Sequence, residues 1–218
     1  MSKARDFLNE VGGIFRNHVE IDKNQLVPGQ HIYVDRAGGV YTHHGIYVGR
    51  DSNKSHVQYV IHFLSTPKNG SSTNSQRCED CKYGKNANGG VVRTCLNCFM
   101  SCPLGGTKLY LYQYDVSLID KHMGVPGSCS SAPAKPLEEI VKTAYEKLNQ
   151  AKPREYNLLT YNCETFATEC STGKGESGQV VDNATRMVIP PTSFVGAGIA
   201  VGYTVYKTIT TAQRWKKK

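Results

Sequence analysis

The opening residues, Met1 to Glu10, hold no apolar run of the kind a secretory signal needs. Synthesis in the cytosol is therefore expected, and the sequons at Asn69 and Asn183 would go unused. In a reducing compartment, the 8 cysteines suit metal ligation or nucleophilic chemistry better than a disulfide frame. Also missing is any long run of Lys and Arg before Lys216, Lys217 and Lys218, although the formal net charge is +8. Such a diffuse excess favours acidic surfaces in general, anionic lipid among them. With no motif that reads RNA or DNA, nucleic acid is not an expected partner. Apolar residues make up 39% of the 218, enough for one domain with a core.

What is present begins with turns and strands, as 21 glycines and 13 tyrosines suggest. Pro28-Gly29 breaks the chain before Ile32, Tyr33 and Val34, which favour sheet. Thr42 to Gly49 and Val57 to Leu64 read as two more strands, with a polar loop over 50–56, giving an antiparallel meander. Residues 65–106, rich in Ser, Asn, Gly and Cys, read as an inserted loop. Lys108 to Tyr114 is a further strand. Leu137, Ile140, Val141, Ala144 and Leu148 recur at helical spacing behind Pro136, which suits a first turn. A second helix should start near Asn162.

The chemistry concentrates at that second helix. Asn162 is a favoured N-cap and would set Cys163 in the first turn. There, partial positive charge and unpaired N–H groups would favour a thiolate and could donate to an oxyanion. A nucleophile also needs a base and a group to orient that base. His43 or His44 on one strand and His62 on the next can supply both, since neighbouring antiparallel strands bring such residues together. The competing reading is an inert buried cysteine with satisfied strand histidines. His31, His56 and His122 receive no role.

Pro28-Gly29-Gln30-His31-Ile32, then His43-His44-Gly45-Ile46-Tyr47-Val48-Gly49, then Val60-Ile61-His62-Phe63, then Asn162-Cys163-Glu164-Thr165-Phe166-Ala167 resemble the lecithin:retinol acyltransferase (LRAT)-like family. The family also includes the H-Ras-like suppressor phospholipase/acyltransferases. Order and spacing match from about residue 25 to 172. The resemblance implies an α+β, permuted papain-like fold, a small antiparallel sheet packed on helices. It implies Cys163 as nucleophile, His43 rather than His44 as base, and His62 as its orienting partner. The implied reaction passes through an acyl-thioester on Cys163. The acyl group comes from a phospholipid or other acyl ester and goes to water, an amine or an alcohol. Thr165 stands where many animal members carry histidine, which sets this chain nearer the plant members. The alternatives are a non-catalytic lipid-binding or regulatory protein that keeps the fold and, further off, a papain-like amidase or peptidase.

Two features lie outside that motif set. Cys78-x-x-Cys81 and Cys95-x-x-Cys98 are separated by 13 residues. Paired knuckles of this kind suit tetrahedral zinc, each giving two thiolates from one tight turn; free or redox-active thiols are the alternative. Lacking a histidine or carboxylate cluster beside them, they would hold a structural metal, and no cofactor is expected for catalysis. Cys102 stands near enough to replace a ligand, while Cys129 and Cys170 receive no role. Second, Met187 to Tyr206 carries no charge over 20 residues, the length of a spanning helix. Pro190-Pro191 and several polar residues favour an amphipathic or disordered tail instead. Three parts are thus expected: an arm over 1–24, the LRAT-like domain over 25–174 with its insertion at 65–106, and a tail over 175–218 that could associate with a membrane surface.

Overall fold

Period-two alternation of side chains builds a single sheet with two different faces. A computed structural model of the chain describes residues 19–36, 41–65, 77–83, 89–101, 108–117, 121, 127–151, 155–157 and 160–176. Six strands form the sheet: β1 (Val19–Glu20), β2 (His31–Arg36), β3 (Tyr41–Asp51), β4 (Lys54–Leu64), β5 (Gly90–Cys95) and β6 (Leu109–Leu111). Their spatial order is β1-β6-β2-β3-β4-β5, and every pairing is antiparallel. The meander expected from sequence is β2-β3-β4. The loop expected over 50–56 is shorter than that, because the strands run on until Asp51 pairs with Lys54.

Three α-helices, α1 (Leu96–Met100), α2 (Leu137–Leu148) and α3 (Cys163–Thr172), and a short 3-10 helix (Lys23–Gln25) complete the described architecture. Ile46, Ile61 and Phe63 on one sheet face pack against Ile140 and Ala144 of α2 and Phe166, Ala167 and Cys170 of α3. On the other face Ile32, Val34, Tyr47, Val60 and Leu109 pack against Leu26 and against Leu96 and Phe99 of α1. Covered on both sides, β2 has Ile32, Tyr33 and Val34 at 0% exposure, which explains its unbroken apolar run. The arrangement is an α+β one. Gly29 makes the turn before β2 with φ +95°, and a Cβ there would lie 2.4 Å from the Leu137 carbonyl oxygen. The turn thus fixes how closely α2 approaches, and only glycine fits.

The segment read as a loop insertion departs from that expectation. Its second half supplies β5, an edge strand of the central sheet, and then α1, whose Phe99 is fully buried. Val91 and Val92 sit among glycines and cysteines and form too short a run for periodicity to register. What holds them as strand is long-range pairing with Phe63 and His62. The tail over 187–206 and the first 18 residues lie outside the described residues. Among the described residues no helix is long and apolar enough to cross a membrane.

Candidate functional site

The site is assembled on β3. The Asn162 side chain caps α3, accepting from the Thr165 N–H at 3.0 Å and from the Thr165 hydroxyl at 3.2 Å. This places Cys163 at the first helical position, as its motif led us to expect. The Cys163 thiol donates to the Thr42 carbonyl oxygen at 3.8 Å. The His44 backbone N–H, the Tyr156 phenol and the Glu164 N–H lie close enough to that sulfur to favour its thiolate. The nucleophile candidate is therefore held by backbone groups on both sides of His43.

His43 and His62 meet directly, Nε2 to Nδ1 at 2.9 Å. Their rings point to the face that carries α1, and the Phe99 ring lies 5.2 Å from His43 and 5.3 Å from His62 between centroids. The other nitrogen of His62, Nε2, lies 3.0 Å from the Thr94 hydroxyl oxygen. Gly45 makes room for this cluster: a Cβ would meet Val60 at 2.6 Å, Phe99 at 3.0 Å and His62 at 3.1 Å. Arg36, itself buried, donates to the carbonyl oxygens of Phe99 and Met100 at the C-terminal end of α1. A cation is favoured at that end of a helix.

His44 points to the opposite face and belongs to a second cluster. Its Nδ1 lies 2.9 Å from His31 Nε2, and its Nε2 lies 2.7 Å from the Thr42 hydroxyl. His31 Nδ1 in turn lies 2.7 Å from the Tyr114 hydroxyl, and its ring stacks on Tyr112 at 4.1 Å. The Tyr112 hydroxyl donates to the Cys129 carbonyl at 2.9 Å and lies 3.4 Å from a carboxylate oxygen of the fully buried Glu164. Sequence reasoning assigned no role to His31, Thr94 or Tyr156. The partners Tyr114, His62 and Cys163 are remote or lie on other elements, so no local pattern announces them.

Electrostatics correct one expectation. Helix-terminus reasoning pointed to a lowered thiol pKa, yet burial pushes Cys163 up to about 11, only partly offset by the N–H and phenol donors at its sulfur. Burial likewise drives His43 well below 6.5, with His62 and Arg36 adding repulsion. The resting thiol and the resting imidazole are thus both neutral, and among the described contacts no hydrogen bond joins them: the thiol meets the Thr42 carbonyl and the His43 ring meets His62.

Burial lowers His31 and His62 to about 3 and His44 well below 6.5. The unfolded chain therefore binds more protons than the folded one at any pH between these values and 6.5. Stability is full above 6.5 and falls as pH drops through that window. Each histidine kept neutral costs about 1.4 kcal/mol per pH unit. The urea midpoint should hold from pH 8 to 7 and drop steeply between pH 6 and 4. A midpoint unchanged at pH 4.5 would contradict the buried neutral clusters.

Cys78, Cys81, Cys95 and Cys98 converge beside β5, with all four sulfurs within 4.8 Å of one another. Tetrahedral Zn–S bonds of about 2.3 Å require sulfur–sulfur edges of about 3.8 Å; Cys78–Cys95 is 3.8 Å and Cys81–Cys98 is 3.7 Å. The Cys98 N–H donates to Cys95 Sγ at 3.4 Å. Lys82 closes the other knuckle at φ 59°, its N–H donating to the Cys78 carbonyl at 2.8 Å. The Cys81 amide helps lower Cys78 to about 7. These residues fit a metal ion.

A six-stranded antiparallel sheet packed on helices, one of them capped and presenting a cysteine to the backbone of the central strand, defines an α+β class. Within that class the chain belongs to the lecithin retinol acyltransferase family, whose pattern matches residues 24–176. It is also 36% identical over 186 residues to Protein LEAD-SENSITIVE 1 of Arabidopsis thaliana. The aligned part covers 74% of this chain, and the chain spans 66% of that relative's length.

Proposed function

We propose that this chain is a thiol-dependent acyltransferase or acyl hydrolase acting on lipid esters, on a permuted papain-like scaffold. The observation that carries this reading is the His43–His62 hydrogen bond at 2.9 Å, one residue from the backbone groups that hold Cys163. Family membership adds the chemistry, acyl transfer, and the substrate class, a phospholipid or other acyl ester.

In the proposed reaction the sulfur of Cys163 attacks the ester carbonyl as its proton passes to His43. A C–S bond forms and the carbonyl electron pair moves to oxygen. The Tyr156 phenol, which burial keeps protonated, and the N–H groups at the start of α3 would donate to that oxyanion. Collapse breaks the ester C–O bond, and His43 returns the proton to the departing alcohol. Water, an amine or an alcohol then resolves the thioester. His62 orients His43 throughout, as the third member of other papain-like sites does. Cys78, Cys81, Cys95 and Cys98 would hold a structural zinc ion that stiffens the β5 edge.

The burial of Cys163 and His43, at 4% and 8% exposed, supports a second reading, a lipid-binding or regulatory protein that keeps the fold. Intact mass separates the two. After incubation with a short-chain phosphatidylcholine and an acid quench, the enzyme gains one acyl group that hydroxylamine releases. Fatty-acid release followed in parallel detects a thioester that hydrolyses quickly. Lipid binding without either signal, across several lipid classes, would establish the second reading.

A further inference from the structure

A hydroxyl group has one proton to give. That of Thr94 is donated to the Cys95 carbonyl oxygen at 3.2 Å, an atom that can only accept. The Thr94 oxygen must then receive a proton from its other neighbour, His62 Nε2, at 3.0 Å. A neutral imidazole carries one N–H, so His62 Nδ1 is a bare lone pair and must accept from His43 Nε2, at 2.9 Å. His43 in turn has its proton on Nε2, which leaves Nδ1 with the lone pair. Four groups in series thus decide which nitrogen of His43 can act as a base. With the opposite polarity, His43 would carry its proton on Nδ1 and could not take one from a thiol through that atom.

One end of this series, and the ring that packs on both imidazoles, are anchored in the cysteine cluster. Thr94 directly precedes Cys95, and Phe99, whose ring supports both imidazoles, directly follows Cys98. Cys95 also caps α1, since its sulfur accepts the Cys98 N–H. A metal ion on the four sulfurs would fix the Cys95 backbone and the start of α1 together.

We propose that Thr94 is a positioning residue that sets the tautomer of His43. We further propose that a thiophilic, tetrahedral divalent cation on Cys78, Cys81, Cys95 and Cys98 governs the base by holding Thr94 and Phe99 in place. The proposal rests on the acyl-transfer reading for its effect on rate, but the tautomer itself can be read without turnover.

The test uses the full chain with nitrogen-15 in its histidines, loaded with zinc. Long-range nitrogen–proton correlation spectra assign the ring tautomers, and phosphatidylcholine acylation of Cys163 gives the rate. Wild type should show N–H on Nε2 of both His43 and His62. Thr94→Val should keep about one zinc per chain, lose that tautomer pattern and acylate about 10- to 100-fold more slowly, the usual cost of removing an orienting outer partner. Thr94→Ser, which keeps the hydroxyl, should restore both. Wild type stripped of zinc under reducing conditions should resemble Thr94→Val. Wild-type tautomers and rate in zinc-loaded Thr94→Val would overturn the role of Thr94. The same result in the stripped protein would overturn the coupling. If Thr94→Val does not fold, the spectra of Thr94→Ser and of the stripped protein decide. If wild type never acylates while its tautomers respond as stated, the acyl-transfer reading fails and the positioning role stands.

Discussion

Cys163→Ala should abolish the acyl adduct, and His43→Ala should slow its formation by about a hundred- to ten-thousand-fold, the usual worth of general-base help. The first follows because the Cys163 thiol, at the start of α3, meets the β3 backbone beside His43 and is the proposed nucleophile. The second follows from the neutral resting state. With Cys163 raised to about 11 by burial, little thiolate exists near pH 7 to attack unaided. Proton removal must therefore accompany attack. His62→Ala should cost less, because His62 acts only through His43. A distinctive pH profile accompanies these losses. The reactive form, neutral thiol with neutral imidazole, dominates from below the ordinary histidine value of 6.5 up toward the Cys163 value of about 11. Acylation should accordingly be flat across neutral pH. A preformed thiolate–imidazolium pair would instead give a bell bounded by two pKa values near neutrality. Single-turnover rates measured from pH 6 to 9 decide between them, and a sharp optimum would overturn the neutral-pair mechanism.

The parts of this molecule that sequence made legible are those set by local rules. Asn162 before an apolar-periodic stretch announced a capped helix, and the cap is made by its own side chain. Pro28-Gly29 announced the turn before β2, and the spacing of Ile140 and Ala144 announced the face of α2 that packs on the sheet. Leu137, counted in that same periodic set, is 41% exposed. What stayed illegible depends on contacts made across the chain. His31 looks like any strand histidine until Tyr114, 83 residues later, arrives at its Nδ1. The thiol pKa went the wrong way for a related reason. Helix-end charge is local and can be read from Asn162-Cys163, while desolvation of Cys163 comes from packing against β3. Thr94 and Phe99 were obscured by the cysteines around them, which drew the whole segment into a loop reading. The Thr94 hydroxyl and the Phe99 ring both meet the His62 imidazole, so the cysteine knuckles are attached to the candidate site rather than appended beside it.

Removing the metal ligands should have a comparably large effect, on stability. Cys81→Ser, or chelation under reducing conditions, should take the protein from about one zinc per chain to none and expose β5 to solvent exchange. Among the described residues, Val57, Tyr59 and Cys95 form the buried apolar cluster at this corner, with Val48 packed against it. That area cannot by itself order the Cys78–Cys81 knuckle, whose other described hydrogen bonds are the Lys54 ammonium on the Asp80 carbonyl at 3.0 Å, the Cys78 N–H on the Tyr83 carbonyl at 3.0 Å and the Lys82 N–H on the Cys78 carbonyl at 2.8 Å. Structural zinc in small domains contributes on the order of 10 kcal/mol of apparent folding free energy. Here the loss is limited to what the β5–α1 edge can lose before the rest of the sheet follows, because opening is local where few contacts cross. Amide exchange read by mass spectrometry should therefore accelerate strongly over residues 90–100 and much less over β2. The competing outcome is equally specific. Oxidation would bring Cys78 to Cys95 and Cys81 to Cys98 from 3.8 and 3.7 Å to the disulfide length of about 2.05 Å. Two such bonds in protein purified under reducing conditions, with no zinc and with β5 still protected, would assign this corner to redox chemistry in place of metal binding.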